Sequence, residues 1–174
     1  MNKEAIDVLL TRRSIRKFKD EQVSEAELDK VLEIGTYAPT GMGSQSPQIV
    51  AVQDPETLEK LRKMNAQVLG ADTDPYYGAP TIVLCLAPDD SKTTYMEDGT
   101  SVLVYMMAAA HAVGLASVWI HREKEMFESD EGKELMKKWG IPDYFVGIGA
   151  LAIGYADCEY PVAPARREGY VLKV

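Results

Sequence analysis

EDGTSVLVYMMAAAHAVGLASVWI, residues Glu97 to Ile120, is the stretch on which the architecture turns. From Asp98 to Val113 it is rich in Ala and Met and apolar on nearly every face. That is the pattern of a helix buried on all sides, because a surface helix keeps one polar face. Gly114 stops the helix, and LASVWI then reads as a strand. A helix of this kind needs apolar partners all around it, so the neighbouring segments must supply a layered core.

Upstream, TIVLCLA from Thr81 to Ala87 is a second strand, preceded by a loop from Ala71 to Pro80. Asp54-Pro55 is an N-cap followed by a first-turn proline and opens a helix through Leu58, Leu61 and Met64. QIVAVQ, Gln48 to Gln53, is short and β-branched and reads as a strand. Ser24 with Glu27 forms a capping box, and Leu28, Val31, Leu32 and Ile34 carry that helix to about Tyr37. Ile6, Val8, Leu9 and Leu10 give a first short helix that ends near Thr11 or Arg12.

Downstream, Ser129 to Trp139 is a polar-faced helix closed by Gly140, and VGIGALAIGYA, Val146 to Ala156, is a strand loosened by glycines. Residues from Cys158 to Val174 show no core pattern. Helices and strands alternate, yet the chain opens on two helices. The expectation is therefore α+β: one domain over residues 1–174, a mixed β-sheet flanked by helices, and a tail from about 158 to 174 that leaves the body.

The chain has 174 residues, 19 Lys and Arg against 27 Asp and Glu, and a net charge of −8. An acidic chain repels phosphate as a whole, which argues against a general nucleic-acid or anionic-membrane binder. The longest nearly apolar stretch, Val146 to Ala156, is too short to span a bilayer, and the N-terminal MNKEAIDVLLTRR lacks a secretory pattern. Cys85 and Cys158 form neither a disulfide framework nor a metal-ligand spacing and read as reduced, buried or semi-buried thiols. The expected compartment is the cytoplasm, with no nucleic acid or membrane as partner.

Against that acidic background, TRRSIRKFK, Thr11 to Lys19, holds Arg12, Arg13, Arg16, Lys17 and Lys19 and no acid. Without those five the chain has 14 basic against 27 acidic residues, a balance of −13. Such an island reads either as a solvated basic face or as an anion site. Arginine suits the second because its planar fork matches phosphate oxygens. Ser14 adds a hydroxyl, and Arg166-Arg167 in the tail form a second basic pair placed to close on the same anion.

The segment APTGMGSQSP, Ala38 to Pro47, is a small-residue loop that lets backbone approach a ligand closely. Its GxG follows a helix and precedes a strand, the reverse of a dinucleotide fingerprint. His111 reads as a satisfied core histidine, and His121 stands at a strand end. Asp89, Asp90, Glu97 and Asp98 read as solvated loop acids. With no metal cluster, no nucleophile elbow and no paired carboxylates, the reactivity points to a cofactor.

Taken together, RRSIRKF at Arg12 to Phe18, APTGMGSQSPQIVAV at Ala38 to Val52, the Glu97–Ile120 stretch, VGIGALAIGYA and PARREGYV in the tail resemble the FMN-dependent nitroreductase family, in order and over nearly the whole chain. The resemblance implies an α+β homodimer with FMN at the subunit interface. It also implies hydride transfer from NADH or NADPH through FMN to a small acceptor such as a nitroaromatic or quinone, in a ping-pong cycle. By that resemblance Arg12, Arg13 and Ser14 hold the FMN phosphate together with Arg166, and Arg167 stands beside it. Arg16 lies near the flavin pyrimidine edge. Pro39, Thr40 and Gly41, with Gly43, reach the flavin from the other subunit. Asn65 is a polar contact on the ring, and His121 and Arg122 offer backbone N–H groups towards N5.

Two positions depart from the family pattern: Gly43 stands where many members carry Asn, and Pro47 where they carry Trp. The chain is also short between its second strand and the long helix, which implies a more open pocket. Two alternatives accompany the enzyme reading. One is a protein that binds or sequesters FMN without NAD(P)H turnover. The other is an anion or nucleic-acid binder built on the basic island, with no flavin.

Overall fold

A computed structural model describes residues 4–89 and 94–174, so Asp90, read from the sequence as a solvated loop acid, lies outside the described residues. The helices are α1 (Ala5–Thr11), α2 (Glu25–Thr36), α3 (Pro55–Leu69), α4 (Tyr95–Ala112), α5 (Glu123–Glu128) and α6 (Asp130–Lys138). The strands are β1 (Gln48–Val52), β2 (Thr81–Pro88), β3 (Ala116–Ile120) and β4 (Phe145–Gly154). The starts of α2 and α3 follow the capping chemistry. The Ser24 hydroxyl accepts from the Glu27 amide at 3.4 Å, and the Asp54 carboxylate accepts from the Thr57 amide at 2.8 Å. α5 is an element that the sequence pattern does not announce.

The sheet runs in the order β1-β2-β4-β3. All three ladders are antiparallel, so the four strands form an antiparallel sheet where a mixed one was expected; the isolated bridge between Ser14 and Ser117, outside these strands, is parallel. The reason is the connection between β1 and β2. α3 carries the chain one way along the sheet and the loop to Pro80 carries it back, so β2 enters against β1.

Every residue of β2 is buried, and its alternation divides the core in two. Ile82, Leu84 and Leu86 pack with Leu58 and Leu61 of α3 and with Met126, Phe127 and Met136 of α5 and α6. Val83, Cys85 and Ala87 face Leu28 and Val31 of α2 and Leu103 and Met106 of α4. Burial pushes the Cys85 thiol up to about 12, an inert core group. Cys158, in contrast, is exposed. α4 is not covered on every side, for Val104 and Tyr105 remain exposed.

β4 is loosened by glycine because other backbone must pass over it. A Cβ on Gly147 would lie 2.4 Å from the Glu123 carbonyl oxygen. Gly147→Ala should therefore cost about 3 kcal/mol in urea or thermal unfolding, since the obstacle is backbone. Gly140→Ala, at φ 72° with open space around it, should cost about 1 kcal/mol. Equal costs would mean that the contact between β4 and Glu123 is not tight.

Candidate functional site

The basic segment is fixed by backbone rather than by its charges. Ile15 N–H donates to Ser117 O at 3.1 Å, Lys19 N–H to Tyr155 O at 2.9 Å, and Asp157 N–H to Lys17 O at 3.0 Å. Extended in this way, the segment lies along β3 and the end of β4. Ile15 is buried, whereas Arg16 and Lys17 are exposed. Arg12, Arg13 and Ser14 then fall between the end of α1 and the sheet. They line a cleft of about 620 Å³ together with Leu9, Leu10, Pro164 and Arg166.

Two donors of the residues lining this cleft, Arg12 Nη1 and Arg13 Nε, are buried without a hydrogen-bond partner among the described residues. The guanidinium of Arg12 is held below the ordinary arginine range by burial and then by the neighbouring Arg13. Arg13 Nη1 donates to the carbonyls of Leu10 and Arg12 at 2.9 and 2.7 Å, closing the end of α1. Arg166 is turned onto the Pro164 carbonyl at 2.6 Å. Arg167 stacks 5.6 Å over Tyr170 and does not line the cleft. Two desolvated cations with open N–H groups form a site that an anion would complete, and the donor set fits a phosphate.

The loop residues do not line this cleft. Thr40 lines a separate pocket of about 150 Å³ with Gly35, Ala38, Gln45, Pro47 and Val102. Asp98 Oδ1 accepts from the Gly41 amide at 2.8 Å and from the Thr94 hydroxyl at 3.0 Å. Asp98 is thus a buried anchor at the start of α4 rather than a solvated acid; its signal in the sequence was Thr94 one turn ahead of it. Pro39, Met42 and Gly43 are exposed, and Met42 and Gly43 take left-handed φ of 54° and 67°. Gly43 has open space where a side chain would stand, so an Asn there would meet no obstacle.

A third group lies behind the end of β3. Asn65 is 0% exposed, and its amide nitrogen lies 3.0 Å from the His121 carbonyl, 3.2 Å from the Tyr76 hydroxyl and 3.3 Å from Glu123 Oε1. Its amide oxygen accepts from Arg122 Nε at 2.8 Å. Asn65 is therefore committed inward, holding the His121–Arg122 corner in which Arg122 has a φ of 86°. Arg16 lies 5.9 Å over the ring of Tyr77, next to Tyr76 in sequence. His121 itself is exposed, while His111 is buried with Thr11 Oγ1 at 2.9 Å from its Nε2.

The profile of the Nitroreductase family matches residues 9–75. An Archaeoglobus fulgidus protein, provisionally named NADH dehydrogenase/NAD(P)H nitroreductase, is 30% identical over 90% of this chain and 87% of its own. A Bacillus subtilis protein named FMN reductase [NAD(P)H] is 26% identical over 87% of this chain and 66% of its own. Among solved structures, a Bacteroides fragilis nitroreductase with bound FMN superposes with a TM-score of 0.89 at 24% identity, covering 99% of both chains. The chain belongs to the nitroreductase family.

Glu123 and Tyr76 escaped the sequence reading, for their partners stand 47 and 58 positions apart along the chain. Burial pushes the Glu123 carboxyl up to about 7, and burial with the facing Glu123 pushes the Tyr76 phenol well above its usual range. The folded protein keeps this proton to about pH 7, whereas the unfolded chain releases it near 4.5. Folding stability from this group therefore falls as pH climbs between those values and stays low above them. Comparing Glu123→Gln with wild type by urea unfolding should show the variant without that loss, on the order of 3 kcal/mol. Parallel stability curves for the two proteins across that window would contradict it.

Proposed function

We propose that this chain is an NAD(P)H-dependent FMN oxidoreductase, acting as a homodimer on a small acceptor such as a nitroaromatic or quinone. The observation that carries the reading is the pair of buried, unpartnered nitrogens, Arg12 Nη1 and Arg13 Nε, in a cleft that Ser14 and Arg166 also line. Arg12, Arg13, Ser14 and Arg166 would hold the FMN phosphate, with Arg167 beside them. Arg16 would stand near the flavin pyrimidine, and the His121–Arg122 backbone near N5. Bound FMN supplies hydride acceptance and donation, the chemistry that the side chains lack. The protein binds and orients it, and donor and acceptor use one site in turn, a ping-pong order.

The dimer is supported by apolar surface with nothing over it. Ile6, Leu9 and Leu10 on α1, Val104 and Tyr105 on α4, and Val162, Val171 and Leu172 in the tail are all exposed. Pro39, Thr40, Gly41 and Gly43 would then complete the site of the second subunit, because they stand apart from the basic cleft of their own. In this reading residues 1–174 work as one domain whose tail from about 158 wraps the partner. Two free thiols suit the reducing cytoplasm, and among the described residues no helix is long and apolar enough to cross a membrane.

The test is the visible spectrum of protein saturated with FMN and desalted, before and after anaerobic NADH or NADPH. A bound flavin that bleaches is the expected result. A flavin that stays oxidised with both nucleotides would make this a flavin-sequestering protein, and no retained flavin would end the reading. Arg12→Ala and Arg166→Ala should each weaken FMN binding about 10- to 100-fold, the weight of a charge-assisted hydrogen bond. Unchanged affinity in both would remove the phosphate from this cleft.

A further inference from the structure

The group behind β3 does more than fill space. Glu123 is 1% exposed, and its Oε2 is buried with no hydrogen-bond partner among the described residues. Its Oε1 accepts from the Tyr76 hydroxyl at 2.9 Å and faces the Asn65 amide at 3.3 Å. A residue needed only for packing would be better apolar here, since an orphaned buried carboxyl oxygen costs stability. The amide of Asn65 has two hydrogens and three acceptors within reach: His121 O, Tyr76 Oη and Glu123 Oε1. An ionised Glu123 is the strongest of the three and draws the amide towards itself, away from the His121 carbonyl. A neutral Glu123 leaves that carbonyl its donor.

We propose that Glu123 is a positioning residue of the flavin site: acting through Asn65, it sets the His121–Arg122 corner according to its own charge. The inference rests on the reading that this corner borders the flavin. The groups facing the carboxyl are few. Tyr76 comes from the loop before β2, and Arg122 and Glu125 come from its own turn and helix. α3 presents the neutral Asn65, and β4 presents the backbone of Gly147. Its titration near neutrality places the change within the working range of a cell. An ionised carboxylate behind the corner also opposes the negative charge of the FMN phosphate, so FMN binds less well when Glu123 is charged.

The test uses the FMN-loaded protein and two variants, Glu123→Gln and Tyr76→Phe, measured from about pH 5.5 to about pH 8.5, across the titration of the carboxyl. Two readouts are followed: the visible spectrum of the oxidised bound flavin, and the Kd for FMN. The Kd of wild type relative to Glu123→Gln should rise about fivefold across that range, the low end of a coupling between two sites. Taking the ratio cancels the titration of the FMN phosphate. The bound spectrum should shift with pH in wild type and stay constant in Glu123→Gln. Tyr76→Phe removes a hydrogen bond that favours the charged form, so it should keep the spectral change and move its midpoint to higher pH. It also decides the matter if Glu123→Gln does not fold. Flavin that binds wild type and variants with the same pH behaviour would overturn the inference and leave the oxidoreductase reading standing. Flavin that binds none of them would overturn both.

Discussion

The hydrogen bond from Ile15 N–H to the Ser117 carbonyl, with its two companions at Lys19 and Asp157, is the constraint on which the site depends. Five cations in nine residues repel one another and would spread if left to themselves. Bound to the open edge of β3 and the end of β4, they cannot. The pairing buries Ile15 as a peg and leaves its neighbours on the other side of the backbone. It also covers an edge that would otherwise offer unpaired backbone to other chains. Protection of the sheet and presentation of the arginines are one structural act.

The two ends of the site are built on opposite physical terms. At the cleft, cations are partly stripped of water without an anion to answer them. Behind β3, an acid is stripped of water with a single unsatisfied oxygen. Each costs stability in isolation, and each is tolerated because the sheet between them is packed on both faces. The glycine at position 147 serves the second of these. It lets the backbone of Glu123 rest on β4, and so fixes the turn that the arginine at 122 enters with positive φ.

Much of this was legible in the sequence, and for local reasons. Ser24 and Asp54 announce helix starts through their own side-chain bonds, and Gly140 announces an end. The resemblance gave Arg12, Arg13, Ser14 and Arg166 one shared expectation, and these four residues line one cleft. What stayed hidden depends on register and on distance along the chain. Strand direction was not encoded in any strand, because it is set by how far the loop to Pro80 carries the chain back. Asp98 looked like a loop acid because one of its two partners is the backbone of Gly41, which no side-chain pattern records, and Thr94 one turn ahead was the only local sign of the other. Asn65, Tyr76 and Glu123 belong to three segments that look independent until the sheet brings them together.

The order of the sheet has a consequence for how the chain reaches this state. The two central strands are β2 and β4, so Thr81 must find Ile153, 72 positions further on, before the sheet has a middle. β1 pairs only with β2 and β3 only with β4, so neither ladder joins the two halves of the sheet. The edge segment at Ile15 can add only after β3, though it is among the first parts of the chain to be made. Closing so long a loop is slow compared with forming helices, so the helices are expected to form and wait. During that wait the cationic segment has no edge to bind and the apolar strands have no partners. The window in which the chain is open to aggregation is therefore set by the last-made strand, β4, whose glycines are also what its neighbours rest upon.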